Sequence, residues 1–291
     1  MTLSRRRFLT ISAACAALPS TAKAHSWHGH AFGAEISMTI RGDEAQATVA
    51  LKRARHLITE VEQLFSLYNP ASDLRKLNTT GVLLRPDGRF LEMMQASTVA
   101  HALSDGLFDP TVQPLWQALA EGRDPTDANA LMGWHKLRFD TEQITLAPSQ
   151  ALTFNGIAQG YATDLVADAF EAMGLKDTLV NMGEYRGTGG PWTLGISDPI
   201  HGNLGNRRLT TGAIATSSPS ATLLSQQGHI LHSQAKPKWS TVSVEAATAT
   251  LADSLSTALV LAPRDQIEAM KEQSDIIRIT LIGFDGDLMT I

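Results

Sequence analysis

Residues 153–190 read TFNGIAQGYATDLVADAFEAMGLKDTLVNMGEYRGTGG, and this stretch decides the fold. It predicts a glycine-bearing turn, an amphipathic helix, and a short apolar strand that leads into a second cluster of glycines. Gly174 is placed to end the helix in the left-handed conformation that glycine accepts without strain. The apolar residues that recur at four-residue steps, and so share one helical face, are Ile157, Tyr161, Leu165, Ala169 and Met173.

The turn before this helix is a candidate ligand site. Asn155 and Gly156 stand where exposed backbone N–H groups and the positive end of the helix dipole can hold an anion or an oxygen-rich ligand. Helices that start beside glycines are also common where no ligand binds. From this stretch alone, the ligand-binding and the purely structural interpretations are both open.

The first 24 residues are typical of an export signal. Arg5, Arg6 and Arg7 form a twin-arginine pattern, residues 11–18 are a short apolar run, and residues 22–24 are an A-x-A cleavage site. The apolar run is shorter than the roughly 20 residues that a membrane span needs. We therefore expect residues 1–24 to be a cleaved twin-arginine signal peptide, and the mature chain to work in the periplasm without inserting into the membrane.

Loss of this segment changes the composition in two useful ways. It removes four basic residues and no acid, so the formal net charge falls from −5 to −9, which argues against nucleic-acid binding. It also removes the only cysteine, so disulfide and thiol chemistry are excluded from the mature protein. No repeat, linker or transmembrane run divides residues 25–291, which we expect to form one domain.

The rest of the chain predicts a mixture of helices and strands. Helices are expected from Asp43 to about Tyr68 and from Gly88 to Ser104, the second started by Asp87. A further helix is expected over residues 248–258. Strands are expected over residues 31–40, 192–197, 210–216, 228–232 and 241–246, with a hairpin over residues 137–146.

Three short segments carry candidate functional side chains, each with a plainer alternative. His25, His28 and His30 form either a metal site or a flexible terminus. In the loop at 105–111, Phe108 and Asp109 either sandwich and hydrogen-bond a planar ligand, or act as a hydrophobic plug with a turn-capping carboxylate. The 228–232 strand holds two histidines on opposite faces, and one is a candidate proton-transfer group, although a lone histidine is more often structural.

Asp253 and Thr257 are four residues apart, so their side chains project from the same helical face. A carboxylate and a hydroxyl placed in this way suit Mg²⁺, which completes its octahedron with waters and phosphate oxygens. The alternative is that the hydroxyl bonds back to its own helix while Asp253 faces water.

Considered together, these motifs occur in the order found in the ApbE family of FAD:protein FMN transferases, which the mature chain resembles along nearly its whole length. The opening residues from Trp27 and the twin-arginine start are most similar to the NosX accessory proteins of nitrous oxide respiration. The matching blocks are FGAEISMTI, LFSLYNPASDLRKLN, SDGLFDPTVQPLW, residues 155–184, GAIATSS, HILHSQAKP and ADSLSTALV.

The resemblance implies an α+β fold of one domain, with mixed or antiparallel sheets, flanking helices and a flavin cleft. It implies transfer of FMN from FAD to a Thr or Ser hydroxyl of a membrane-anchored acceptor flavoprotein, with release of AMP. Asp253, Thr257 and the Gly156 carbonyl would bind Mg²⁺, and His229 would remove the proton. The positions expected to contact FAD are Phe32, Leu107, Phe108, Asp109, Thr153, Gln159 and Tyr161.

The chain departs from the family pattern around the flavin. Thr153 stands where an Asp that contacts FAD is usual, and Gln159 replaces a Lys or Glu. Gly183-Glu184-Tyr185 stands for Gly-Gly-Asp, and His232 begins a run that replaces Asp-Pro-x-Thr. The intact Asp253/Thr257 pair favours a transferase, whereas the altered positions favour a non-catalytic FAD carrier or assembly factor on the same scaffold.

Overall fold

The structure is a computed structural model that describes residues 23–222, 224 and 228–291. The predicted signal peptide lies outside these residues except for its last two positions, so its cleavage remains a prediction. The strands are β1 (Ala24–Ala31), β2 (Ala34–Arg41), β3 (Val82–Leu84), β4 (Arg138–Phe139), β5 (Gln143–Thr145), β6 (Thr178–Asn181), β7 (Tyr185–Thr188), β8 (Trp192–Asp198), β9 (Gly202–Leu209), β10 (Gly212–Ser217), β11 (Thr241–Ala246), β12 (Ile276–Ile282) and β13 (Leu288–Thr290). The helices are α1 (Glu44–Phe65), α2 (Asp73–Thr80), α3 (Gly88–Leu103), α4 (Gln113–Ala120), α5 (Thr126–Leu131), α6 (Ala158–Ala172), α7 (Ala249–Leu259) and α8 (Arg264–Glu272).

Eight strands form one sheet in the order β1-β2-β6-β7-β10-β11-β12-β13, and each neighbouring pair is antiparallel. A second sheet has the order β3-β5-β4, and β8 and β9 form a separate ribbon. Helices α6 and α7 pack against each other, and α7 also packs on β10 and β11. The fold is therefore α+β, as predicted, and its longest sheet supports the two helices that carry the candidate site.

The helix starts follow the capping residues in the sequence. The Asp43 side chain accepts a hydrogen bond from the Gln46 amide at the start of α1, and the Asp87 side chain accepts one from the Arg89 amide at the start of α3. Each cap satisfies an amide that has no partner within the helix. Helix α1 ends at Phe65 and α3 at Leu103, close to the predicted ends.

The strand prediction for the mature N-terminus was too short. Strand β1 contains all three histidines of the segment that begins at His25, and it pairs with β2 through a tight turn at Phe32 and Gly33. Both turn residues have positive φ, 53° and 78°, which is the geometry of a two-residue hairpin. The flexible-terminus interpretation was therefore wrong.

The largest hydrophobic core lies between the hairpin, α1, α3 and α6. Met38 and Ile40 of β2 are fully buried. Rings from three elements meet edge to face, with Phe65 and Phe154 centroids 5.5 Å apart and Phe90 and Phe154 centroids 5.7 Å apart. Burying each such side chain contributes about 1.5–3 kcal/mol. A second core joins β10, β11 and β12 to α7 and α8.

Helix α6 begins and ends where the sequence predicted, with Gly174 at φ 80° beyond its end, but its buried face was predicted inaccurately. Met173 is exposed and Leu165 is half-buried. The reason is that α6 contacts α1 on one side and α7 on another, so a single apolar stripe does not describe it. The residues it buries are Ala158, Gly160, Tyr161, Ala162, Thr163, Asp164, Val166, Ala167 and Phe170.

Of the other predicted elements, one is wrong, and several elements of the structure were not predicted, among them α2, α4, α5, α8, β3, β9, β12 and β13. Residues 228–232 form a loop and not a strand, so their two histidines do not lie on opposite faces of a sheet. Strand β9, which is polar and largely exposed, was not predicted because it lacks the alternation of a half-buried strand. Among the helices of the described ranges, none is both long and apolar enough to cross a membrane.

Candidate active site

Four segments that are distant in sequence meet at the start of α6. They are the 156–160 turn, the corner between β6 and β7, the end of β10, and α7. Together they form what we call the acid–hydroxyl cluster, which consists of Gly156, Gly160, Glu184, Ser217, Asp253, Ser256 and Thr257. Its carboxylates are buried, with Asp253 3% exposed and Glu184 7% exposed.

The anion-binding turn predicted at the start of α6 is used by the protein's own carboxylate. The Gly160 amide donates a hydrogen bond of 2.9 Å to Asp253 Oδ2. A Cβ atom at position 160 would lie 2.3 Å from the Ala249 carbonyl oxygen and 2.7 Å from the Asp253 Cβ, so only glycine allows α6 and α7 to approach this closely. Asp253 is therefore fixed against the positive end of α6.

Gly156 lies directly against Thr257. A Cβ atom at position 156 would come within 2.9 Å of Thr257 Oγ1. Because the Gly160 amide bonds Asp253, it does not close the usual helical turn onto the Gly156 carbonyl, and no other donor in the described residues bonds that carbonyl. The structure thus brings together the three residues predicted to bind the metal.

The serines extend this group of oxygen atoms. Ser217 Oγ lies 2.8 Å from Ser256 Oγ and 3.3 Å from Thr257 Oγ1. Within the described residues, no group of three or more His, Cys, Asp or Glu side chains is arranged to hold a metal. A cation at the cluster would therefore be held by hydroxyl and carbonyl oxygens as well as carboxylates, which is the donor set that Mg²⁺ accepts.

Burial changes the acidity of both carboxylates in the cluster. It raises the pKa of Asp253 to about 7, a shift that the Gly160 hydrogen bond opposes and the nearby Asp164 increases. Burial, and then the charge of Asp253, raise the pKa of Glu184 well above its usual range, against a hydrogen bond from the Thr216 amide. Both shifts mean that negative charge is poorly stabilised here without a cation.

Asp164 holds α7 in place beside α6. Its two carboxylate oxygens accept hydrogen bonds from the Ala249 and Thr250 amides, at 2.9 and 2.8 Å, and from the Thr250 hydroxyl at 2.6 Å. Arg186 pairs with the same carboxylate at 2.8 Å. Because these amides lie in the first turn of α7, Asp164 satisfies that helix start and so fixes the position of Asp253 one turn later.

The segment expected to line the flavin, 107–109, is held by local bonds. The Phe108 amide donates to Ser104 Oγ at 2.9 Å, and its ring belongs to the main core with 4% exposure. The Asp109 carboxylate accepts from the Thr111 amide and hydroxyl, at 2.8 and 2.6 Å. This is the geometry of a plug with a turn-capping carboxylate. The half-buried Leu107 packs at the edge of the same core.

The remaining residues predicted to contact FAD lie at different places. Phe32 is in the β1–β2 turn, where its amide donates to Glu62. Tyr161 points into the core and donates its hydroxyl to Glu92, away from the acid–hydroxyl cluster. The half-buried Thr153 accepts a hydrogen bond of 3.2 Å from the Asn155 amide just before the α6 turn. Gln159 covers Gly183, where a Cβ atom would meet its Nε2 at 2.6 Å.

His229 is half-buried beside the segment that follows β10. Its Nδ1 lies 3.0 Å from the Pro219 carbonyl oxygen, and since a carbonyl only accepts, Nδ1 carries the proton and Nε2 is left as an acceptor. Burial lowers the pKa of His229, which keeps the ring neutral. The adjacent Gly228 has φ 93°, and a Cβ there would lie 2.0 Å from the same carbonyl. The imidazole is thus held in the form that accepts a proton.

Sequence reasoning did not assign Asp164, Glu184 or Ser217 to the site. Asp164 was recognisable as an acid within the apolar part of a helix, a position where a carboxylate needs partners. Glu184 follows an apolar strand and a glycine, at the end of a strand where functional side chains often lie. Ser217 had been noted only as part of a hydroxyl-rich turn.

The fold and this site define an α+β protein whose paired helices present buried carboxylates and hydroxyls at a helix start. The model of the ApbE family matches residues 32–280 of the sequence. The chain therefore belongs to the ApbE family, and the resemblance noted from its motifs is confirmed.

Individual relatives agree with this assignment. A Haemophilus influenzae protein named FAD:protein FMN transferase is 24% identical over 273 residues, which covers 80% of this chain and 78% of the relative. The flavin transferase ApbE from Vibrio cholerae has the same fold, with a TM-score of 0.79 and 21% identity over 93% of this chain and 97% of that one. The apo form of the Pseudomonas stutzeri flavinyl transferase ApbE superposes with a TM-score of 0.78 and 26% identity, covering 93% and 94% of the two chains.

Proposed function

We propose that this protein is an FAD:protein FMN transferase that acts in the periplasm. The reaction moves the FMN phosphoryl group of FAD to a Thr or Ser hydroxyl of an acceptor flavoprotein. The hydroxyl oxygen forms a bond to the FMN phosphorus, the pyrophosphate P–O bond breaks, and AMP leaves. The observation that carries the proposal is the acid–hydroxyl cluster, in which Asp253 and Thr257 meet Gly156 at the start of α6.

The cluster fits a magnesium ion. Asp253, Thr257 and the Gly156 carbonyl would hold it, because they present hard oxygen atoms and the carbonyl lacks a donor among the described residues. When bound, Mg²⁺ neutralises charge on a pyrophosphate. A protein that only carried FAD would gain nothing from two buried carboxylates near the phosphates, and this supports the transferase over the carrier.

His229 is the residue that we assign to proton removal. With Nδ1 bonded to the Pro219 carbonyl, its Nε2 lone pair is available to take the proton of the acceptor hydroxyl. Burial lowers the pKa of His229, against hydrogen bonds with the backbone of Pro219 and Thr222, and this favours the neutral ring. The Pro219 carbonyl acts as the orienting partner that a catalytic histidine needs.

The location and partner follow from the sequence. The twin-arginine signal supports export to the periplasm, and the similarity of the N-terminal block to NosX proteins supports a membrane-anchored flavoprotein of nitrous oxide respiration as the acceptor. The FAD contacts proposed for Phe32, Leu107, Phe108, Asp109, Thr153, Gln159 and Tyr161 rest on the family resemblance.

One experiment tests the assignment. The mature chain is mixed with FAD, Mg²⁺ and the periplasmic domain of a candidate acceptor, and flavin fluorescence that survives denaturation is measured on the acceptor, together with released AMP. We expect both products in equal amounts, and neither when the acceptor Thr or Ser is replaced by Ala. Bound FAD without either product would instead support the carrier.

A further inference from the structure

A buried carboxylate that the proposed metal site does not use lies beside it. Glu184 occupies the corner between β6 and β7, and its Oε2 accepts a hydrogen bond of 3.0 Å from the Thr216 amide of β10. Its backbone carbonyl is held by the Thr163 hydroxyl of α6 at 3.2 Å. These two contacts turn the side chain inward, between β10 and α6, and not toward solvent.

Thr216 and Thr163, the two residues that bond Glu184, both lie close in sequence to residues of the acid–hydroxyl cluster. Thr216 precedes Ser217, whose hydroxyl contacts Thr257. Thr163 lies on α6 one turn after Gly160, whose amide bonds Asp253. Glu184 is thus joined by one contact on each side to the two segments that carry Ser217 and Gly160.

The charges of these two acids are not balanced by a basic side chain. Arg186, the closest arginine along the chain, pairs with Asp164 and Asp168, both at 2.8 Å. Within the described ranges, no lysine or arginine forms an ion pair with Glu184 or Asp253. Two buried like charges without a cation are costly, and a divalent ion between them removes that cost.

We propose that Glu184 is a second carboxylate ligand of the divalent cation held by Asp253, Thr257 and Gly156, an inference that rests on the proposed function. Two carboxylates raise the affinity of an oxygen site for a divalent ion.

The test uses Mn²⁺ as the probe, since it accepts the same oxygen ligands as Mg²⁺ and free Mn²⁺ is counted directly by its EPR signal. The mature chain is titrated without FAD. We expect the wild type to bind one Mn²⁺, and Glu184→Gln to bind it at least tenfold more weakly. Thermal unfolding in EDTA should show that Glu184→Gln is at least as stable as the wild type, because the variant removes a like-charge contact.

Glu245→Gln is the matched control. Glu245 is also a buried carboxylate of the same sheet, but Arg207 and Arg278 balance its charge. Its removal should lower the melting temperature and leave Mn²⁺ affinity unchanged. If Glu184→Gln folds poorly, Glu184→Asp is measured as well. This variant keeps the charge, so it should retain part of the Mn²⁺ affinity.

The outcomes separate this inference from the proposed function. Unchanged Mn²⁺ affinity in Glu184→Gln, or a wild type that binds no Mn²⁺ without FAD, would overturn the ligand assignment while FMN transfer by the wild type stands. Glu184-dependent Mn²⁺ binding in a chain that transfers no FMN would keep the ligand assignment and overturn the transferase.

Discussion

The acid–hydroxyl cluster and the 106–109 loop both include a glycine-bearing turn. Hydrogen bonds between distant segments hold the cluster, whereas local hydrogen bonds hold the loop. In the cluster, the Gly160–Asp253 hydrogen bond joins residues 93 positions apart in sequence. In the loop, the Phe108 amide bonds Ser104, four residues away, and the Phe108 carbonyl bonds the His101 ring, seven residues away. The cluster therefore exists only in the folded protein, whereas the loop is closed mostly by the end of its own helix.

This difference indicates how each region tolerates change. The cluster keeps its geometry only while segments that are far apart in sequence stay packed together. A locally closed loop can alter its contacts to a ligand and keep its shape. Thr153 and His232, where the sequence analysis noted departures from the family resemblance, lie outside the cluster that contains Asp253 and Thr257.

The largest effect is expected for Asp253→Asn, which keeps an oxygen to accept from the Gly160 amide but removes the charge. We expect FMN transfer to fall about 10³-fold, since the loss of a group that stabilises transition-state charge costs about that much. AMP release at saturating FAD and Mg²⁺ measures the change, and melting within a few degrees of wild type checks the fold. Transfer at the wild-type rate would disprove the role of this carboxylate.

His229→Ala should lower FMN transfer by about 10²-fold or more, the range for loss of a positioned base. In the wild type the base works when neutral, so the rate should fall as pH drops below the His229 pKa, which burial moves below the usual value of about 6.5. The variant should lose this acidic limb in a pH profile of AMP release.

His232→Asn serves as the control for that experiment. His232 Nδ1 accepts from the Gln234 and Ala235 amides, and an Asn oxygen can do the same, so the loop should stay closed. Loss of the acidic limb in His232→Asn, with retention in His229→Ala, would reverse the assignment of the base.

Asp164→Ala tests the framework of the cluster through stability. The change removes three hydrogen bonds to the start of α7 and the buried carboxylate that pairs with Arg186. We therefore expect a loss of about 3–5 kcal/mol in the free energy of unfolding. Asp168 is the other partner of Arg186, and the Asp168 side chain is 60% exposed. Asp168→Ala should therefore lower the free energy of unfolding by less than about 1 kcal/mol. Urea unfolding compares the two variants, and equal losses would contradict the framework role.

The sequence was sufficient where the contact is local. The caps at Asp43 and Asp87 and the i,i+4 spacing of Asp253 and Thr257 each depend on one or two turns of helix, and the structure has all of them. The match of motif order to the ApbE family added the fold, which no single element specifies.

The sequence was insufficient where partners come from distant segments. Glu184 gains its importance from Thr216 and Asp253, which lie 32 or more residues away, and residue spacing does not report such contacts. The buried face of α6 was misjudged for the same reason, since it packs against both α1 and α7. The strand predicted at 228–232 failed because Gly228 needs a positive φ beside the Pro219 carbonyl.

Thr153→Asp gives the smallest expected effect and tests whether the flavin side has weakened its hold on FAD. The family resemblance implies an Asp that contacts FAD at this position, and a hydrogen bond to a charged group contributes about 1.5–3 kcal/mol. Asp can accept from the Asn155 amide as Thr153 does, so the turn should be kept and FAD should bind about tenfold more tightly, measured by quenching of flavin fluorescence. Thr153→Asn, which has the same shape without the charge, should gain less. If neither variant tightens FAD binding, the cofactor does not pass beside residue 153, and the proposed FAD contact at this position is wrong.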